Sequence, residues 1–163
     1  MDKKIFVLLF FGVMMSSCDS NQIHSEYKSL PNHWPIDQTL EFQLPELDSL
    51  KSFNLFFNIR NTNDYNFNNL FLITSMNFPN GKVVIDTLEY QMALPDGTWL
   101  GSGNRIKENK LWYKENVHFF EEGLYSIKIR QAMRNNASVE GVKNLEGITD
   151  VGVIIEETQE ERE

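Results

Sequence analysis

Cysteine is almost absent from this chain, which has a single thiol, Cys18, in 163 residues. A disulfide within the chain is excluded, because there is no second thiol to pair with. The histidines His24, His33 and His118 stand apart, with no HExxH or similar ligand spacing among them, and no GxSxG nucleophile motif occurs. These absences predict no metal site, no cofactor and no catalytic residues, and they direct attention to binding or structural roles.

Basic residues are also scarce. The chain has 15 Lys and Arg residues against 23 Asp and Glu residues, which gives a formal net charge of −8 at pH 7. A surface with this excess of carboxylates repels phosphate backbones and lacks the basic patches that nucleic-acid binding requires. The composition therefore predicts no nucleic-acid partner.

A long apolar run occurs only once. Residues 5–15 are mostly Leu, Ile, Val, Phe and Met, and Lys3 and Lys4 precede them. A membrane-spanning helix needs about 20 apolar residues, so this run is too short to span a bilayer. A cationic start followed by such a run is typical of a secretory signal, which we assign to residues 1–17. We therefore expect the rest of the chain to lie outside the cytoplasm.

The signal ends in Ser16 and Ser17, directly before Cys18, and this segment resembles the lipobox of bacterial lipoproteins. The resemblance implies that Cys18 becomes the first residue of the mature protein and carries lipid. Two or more acyl chains anchor a protein stably, at about 0.8 kcal/mol per buried methylene. Met15 and Ser17 stand where Leu and Gly or Ala are usual, so a plainly secreted protein remains the alternative. We therefore predict that lipid on Cys18 anchors the protein to the cell membrane or the outer membrane.

Alternation of apolar and polar residues predicts a succession of β-strands. In residues 39–44, for example, Leu40, Phe42 and Leu44 share one face. The other clear strand segments are residues 53–61, 70–78, 125–130 and 151–156. Roughly eight short strands predict an all-β fold, namely an antiparallel β-sandwich of immunoglobulin-like or jelly-roll type, preceded by the lipoprotein signal peptide.

Two turn signals lie between these apolar segments, PNG at residues 79–81 and PDG at residues 95–97. Both provide a glycine for a position with positive φ, which hairpin turns require. They predict a three-stranded meander over residues 70–99. A helical period is not evident, although residues 132–142 are compatible with one short helical turn.

The predicted domain organisation has three parts after the signal peptide. Residues 18–29 are polar and form a tether from the lipidated cysteine, residues 30–157 form a single β-sandwich domain, and residues 158–163 form an acidic C-terminal tail.

Aromatic and asparagine side chains provide one candidate contact surface. Trp99 and Trp112 flank a glycine-containing loop, and exposed tryptophans can stack on sugar rings. An asparagine-rich stretch at residues 59–71 includes Tyr65 and Asn66 and could face a partner or a glycan. The alternative is that the tryptophans pack in the core and that the asparagines form a structured connection between strands.

Three blocks of the chain, DTLEYQMALPDGTWLG, GLYSIKIRQAMR and DVGVIIE, resemble the gliding motility lipoprotein GldH family, and they occur in the family's order. The resemblance covers residues 27–157, and Cys18 falls where the family's lipidated cysteine falls. It implies an envelope protein needed for movement over surfaces without flagella, a process coupled to a dedicated protein secretion system. It brings no catalytic residues.

The leading hypothesis is therefore a lipid-anchored, non-enzymatic component of the gliding apparatus that acts through contacts with other gliding or secretion proteins. A glycan-binding surface lipoprotein is the alternative, and an envelope hydrolase with a site built from scattered residues is the third possibility.

Overall fold

The computed structural model describes residues 21–136 and 138–159, so the predicted signal peptide and Cys18 lie outside the described residues. Every regular element in the described residues is a β-strand, and none of their segments forms a helix that could cross a bilayer. The strands are β1 (Gln22–Ser29), β2 (His33–Pro35), β3 (Leu40–Gln43), β4 (Phe53–Asn61), β5 (Asn69–Asn77), β6 (Val83–Gln91), β7 (Lys107–Val117), β8 (Ser126–Gln131), β9 (Asn144–Glu146) and β10 (Ile148–Glu157).

These strands form two four-stranded antiparallel sheets and one short ladder. The first sheet has the order β1-β10-β4-β7, the second has the order β3-β8-β5-β6, and β2 pairs with β9. The inward side chains of both sheets belong to one buried cluster. The predicted all-β, antiparallel sandwich is therefore confirmed.

The core follows from the alternation of side chains along each strand. On β4 the odd-numbered residues face inward, as predicted, and Phe57 pairs with Val153 of the central strand β10. Full burial of one such side chain stabilises the fold by about 1.5–3 kcal/mol. The fully buried residues of the two sheets include Leu55, Phe57, Ile59, Leu72, Ile127, Ile129, Val151, Val153 and Ile155.

Polar contacts join the two sheets along both of their long sides. On one side the Lys28 ammonium of β1 lies 5.3 Å from the centre of the Phe42 ring of β3. On the other side the Tyr113 hydroxyl of β7 donates to the Asp86 carboxylate of β6 at 3.2 Å. Burial raises the pKa of Tyr113 to about 12, so this hydroxyl keeps its proton at neutral pH.

The predicted tether was wrong for residues 22–29, which form strand β1 at the edge of the first sheet. The segment has few apolar residues because an edge strand needs only a few inward contacts and gains its pairing from backbone hydrogen bonds to β10. Thr158 and Gln159 of the predicted tail are also attached to the body. The Thr158 amide donates to the Ser52 carbonyl at 2.9 Å, and the Gln159 side chain donates to that of Asn21 at 3.0 Å.

The predicted meander is correct for its first hairpin and wrong for its third strand. The PNG turn joins β5 to β6, and Gly81 has a φ of 87°. After β6 the chain forms an isolated bridge from Ala93 to Trp99 in place of a third strand, and it then crosses to the first sheet as β7. Residues 132–142, whose sequence is compatible with a short helical turn, form no helix in the part that the structure describes. They are irregular chain with one bridge from Arg134 to Gly141.

Gly147 connects β9 to β10 at a position that requires glycine. Its φ is 85°, and a Cβ built there would overlap the backbone nitrogen of Tyr65. The Gly147 amide donates to the Asn32 carbonyl, and its carbonyl accepts from the Thr62 amide, both at 2.8 Å. Three segments therefore meet at this residue with no room for a side chain.

We predict that Gly147→Ala lowers the free energy of unfolding by about 3 kcal/mol, because steric overlap adds to the strain of positive φ. Gly81→Ala is the matched control: its φ is 87°, but no atom lies within 4 Å of the added Cβ, so only the strain of about 1 kcal/mol applies. Urea unfolding of both variants measures the difference. Equal losses of unfolding free energy in the two variants would show that steric overlap at Gly147 adds nothing to the strain of positive φ.

Candidate binding surfaces

The outer face of the first sheet carries Trp112, which is 54% exposed. Its ring lies 4.3 Å from the ring of Phe56 on β4, and the Lys110 ammonium lies 4.1 Å from the centre of the Phe56 ring. Phe56 is thus buried under Trp112 and Lys110 although it points away from the core. Trp112 covers an apolar residue and also presents part of its own ring to solvent.

A polar cluster lies beside this pair on the same face. The Glu108 carboxylate accepts from the Asn58 amide at 2.8 Å, from the Arg60 guanidinium at 3.3 Å and from the Tyr27 hydroxyl at 3.4 Å. The Arg60 guanidinium stacks 4.5 Å from the centre of the Tyr27 ring, which packs on Gly152. Burial and the Glu108 charge raise the pKa of Tyr27. These contacts hold β1 against the rest of the sheet, so we assign them a structural role.

Trp99 and Tyr65 do not form the exposed surface that the sequence predicted. Tyr65 is only 3% exposed, and its hydroxyl donates to the Asn69 carbonyl at 2.6 Å. Burial raises the pKa of this hydroxyl, which is therefore a neutral donor. Trp99 is half-buried, packs against the core and lies 6.2 Å from the Tyr65 ring. Including Tyr65 in a contact surface was wrong, because its side chain is buried. Trp99 packs against the core, whereas Trp112 is exposed on the outer face of the first sheet.

Asn66 is exposed, as predicted, and it borders a cleft of about 950 Å³ on the outer face of the second sheet. We call this the amide cleft. It is lined by Asn66, Phe67, Asn68, Asn69, Phe71, Ile73, Thr87, Ala132, Met133, Arg134, Asn135 and Asn136. Amide groups both donate and accept hydrogen bonds, and phenylalanine rings offer apolar faces, so this lining suits a ligand with hydroxyl groups and apolar patches. Arg134 is the one charged residue in the lining.

A second exposed feature is the free edge of β6. Nothing in the described part of the chain forms a backbone hydrogen bond to β6 except β5, with which it pairs in unbroken register over nine residues. Val83 and Ile85 point outward from this strand and are 51% and 69% exposed. The strand contains no lysine, no proline and no bulge, three features that prevent edge-to-edge pairing, although it carries the carboxylates of Asp86 and Glu89.

The other three sheet edges have such protection. β1 has a register irregularity between Gln22 and His24, and β3 is only four residues long. β7 contains three lysines, and Ser102 bridges to its residue Glu108. β6 is therefore the edge on which an additional strand could pair most readily.

No group of three or more His, Cys, Asp and Glu side chains in the described ranges is arranged to hold a metal ion. His24, His33 and His118 lie on β1, on β2 and after β7. The described residues contain candidate binding surfaces and a structural polar cluster.

These features define an all-β sandwich with candidate binding surfaces, carried behind a lipoprotein-type signal. Residues 22–155 match the GldH lipoprotein family, and the chain belongs to that family.

Two relatives cover nearly the whole chain. A protein of Christiangramia forsetii named gliding motility lipoprotein GldH homolog is 52% identical over 155 residues, which are 94% of this chain and 95% of the relative. The gliding motility lipoprotein GldH of Flavobacterium johnsoniae is 50% identical over 152 residues, which are 93% and 94% of the two chains. No solved structure matches this chain.

Sequence reasoning did not identify the β6 edge or the walls of the amide cleft. The edge has a detectable signal, since the strand VVIDTLEYQ lacks lysine and proline. The cleft has none, because its two walls are about 70 residues apart in sequence and only the fold brings them together.

If the amide cleft binds carbohydrate, oligogalacturonate should bind more tightly than neutral dextran oligomers, because Arg134 attracts carboxylates. Asn66→Ala should weaken binding about fivefold through loss of one hydrogen bond, and isothermal titration calorimetry measures the change. Trp112→Ala is the matched control and should leave binding unchanged. Absence of binding for both sugars would exclude the cleft as a site for these glycans, and a loss in Trp112→Ala alone would move the site to the first sheet.

Proposed function

We propose that this protein is a lipid-anchored envelope component required for gliding motility and that it acts through contacts with other proteins of the gliding or secretion apparatus. The observation that carries the proposal is the identity of 50% or more, over nearly the full length, to relatives named gliding motility lipoproteins. Nothing in the described surfaces calls for catalysis, and we propose a non-enzymatic role.

Cys18 is the proposed attachment point, and the lipid holds the body outside the cytoplasm on the cell membrane or the outer membrane. Asn21 is already fixed to the body, because its carbonyl accepts from the Glu157 amide at 2.9 Å. The three peptide units between Cys18 and Asn21 span at most about 11 Å. The domain is therefore held close to the lipid surface instead of standing off on a long tether.

The free edge of β6 is the proposed site of protein contact. An extended segment of another envelope protein would pair with the backbone of β6 and place apolar side chains beside Val83 and Ile85. β6 carries Asp86 and Glu89 and no cation. A partner segment with lysine or arginine opposite Glu89 would therefore match the edge in charge.

Carbohydrate binding is a second candidate function, and the lining of the amide cleft favours it. The cleft and the β6 edge lie on the same sheet and share Thr87 at their boundary. Both functions are compatible with an anchored protein, and they differ in the residues on which they depend.

We predict that Cys18→Ala releases the protein from the membrane fraction and stops surface spreading, because the only acceptor of lipid is removed. Ser17→Ala is the matched control, since alanine is a usual residue at that position of a lipobox, and it should keep the protein membrane-bound and active. Immunoblots of fractionated envelopes and colony spreading are the measurements. Retention of Cys18→Ala in the membrane would contradict the anchor, and spreading by a strain that lacks the whole protein would contradict the role in gliding.

We predict that Ile85→Lys abolishes spreading while the protein level stays normal, because a lysine on the free edge opposes addition of another strand. Val139→Lys is the control, since Val139 is 89% exposed in a loop outside the sheets and tolerates a charge equally well. Spreading assays with immunoblots compare the two strains. Normal spreading of Ile85→Lys would argue against the β6 contact.

A further inference from the structure

The start of β1 lies at the same end of the sandwich as two loops. β1 begins at Gln22 and runs antiparallel to β10, which ends at Glu157. Glu157 pairs with Phe53 at the start of β4, and Phe53 pairs with the last residue of β7. The loop before β4 (residues 44–52) and the loop after β7 (residues 118–125) therefore project from this end. We call it the anchor end, because Asn21 and the chain leading to Cys18 leave from it.

The two loops of the anchor end expose three large apolar side chains. Leu50 is 90% exposed, Phe120 is 75% exposed and Leu124 is 62% exposed. The second loop is nevertheless well packed, since its residues Phe119 and Tyr125 are buried with their ring centres 4.8 Å apart. Phe120 and Leu124 are thus held outward by a fixed loop. Apolar side chains exposed together on one end mark an interaction site.

We propose that the anchor end rests directly on the lipid surface, with Leu50, Phe120 and Leu124 inserted among the lipid headgroups. This inference rests on the lipid anchor proposed for Cys18. The chain from Cys18 to Asn21 spans at most about 11 Å, which agrees with a domain in contact with the surface. Apolar groups of interfacial proteins enter the headgroup region by about 5–10 Å, within the reach of these loops.

The charges at the anchor end specify the kind of lipid. Glu46, Asp48 and Glu122 are exposed there, and the Lys51 ammonium is engaged by Glu157 at 2.8 Å. The turn between β5 and β6 adds one exposed cation, Lys82, whose ammonium lies 5.0 Å from the centre of the Phe78 ring. This excess of carboxylates opposes anionic headgroups. The contact therefore depends on apolar insertion, and its lipid partner is a zwitterionic surface such as phosphatidylcholine or phosphatidylethanolamine.

The test uses the full lipidated protein in phosphatidylcholine vesicles that contain a doxyl-labelled lipid as a fluorescence quencher. Cys18 is the only cysteine of the chain, and the proposed diacylglyceryl group would block its sulfur as a thioether. A cysteine introduced elsewhere can therefore be labelled alone with a fluorescent dye. Leu50→Cys and Phe120→Cys place the dye at the anchor end. Val139→Cys is the matched control, because Val139 is equally exposed. It lies in the loop after β8, at the end of the sandwich opposite the anchor end.

We expect the dye at positions 50 and 120 to be quenched several-fold more strongly than the dye at position 139. Equal quenching at all three positions, with the protein still bound to the vesicles, would overturn the surface contact and leave the anchor intact. Failure of the protein to bind vesicles would overturn both the contact and the anchor. Replacement of phosphatidylcholine by phosphatidylglycerol should reduce the quenching at positions 50 and 120, and an increase would contradict the lipid preference.

Discussion

The pairing of β10 with both β1 and β4 is the constraint on which the rest of the structure depends. β10 is buried on both faces, since Val153 and Ile155 are fully buried in the core and Ile154 is only 4% exposed on the outer face. It is also the last strand in sequence, and it pairs with the first. The first sheet therefore cannot be completed until β10 is available, because β10 lies between β1 and β4.

This arrangement also decides how the domain sits relative to an N-terminal anchor. Since β1 and β10 are antiparallel, the first and last described residues meet at one end of the sandwich, where Asn21 bonds to Glu157. A lipid on Cys18 would hold that end against the membrane and direct the ladder between β2 and β9 away from it. The free edge of β6 and the amide cleft lie along the second sheet, where other envelope components can reach them.

Sequence patterns predicted the strands whose side chains alternate strongly, such as β4, and the turn at Gly81. They could not predict β1, because its edge position leaves few inward residues and its stability comes from backbone pairing with a strand more than 120 residues away. Pairings of this range carry no local signal. The burial of Tyr65 was missed for a related reason, since its packing against Trp99 and Gly147 depends on segments that are distant in sequence. Of the candidate surface residues named from the sequence, Trp112 and Asn66 are exposed, and their role in binding stays a prediction.

A lipid on Cys18 would place this sandwich directly on a membrane. Mass spectrometry of the mature N-terminus, on protein purified from the envelope, is the measurement to make. We expect the first residue to be Cys18, with a diacylglyceryl group on its sulfur and an acyl chain on its amine. An unmodified Cys18, or a mature chain that begins at a later residue, would contradict it.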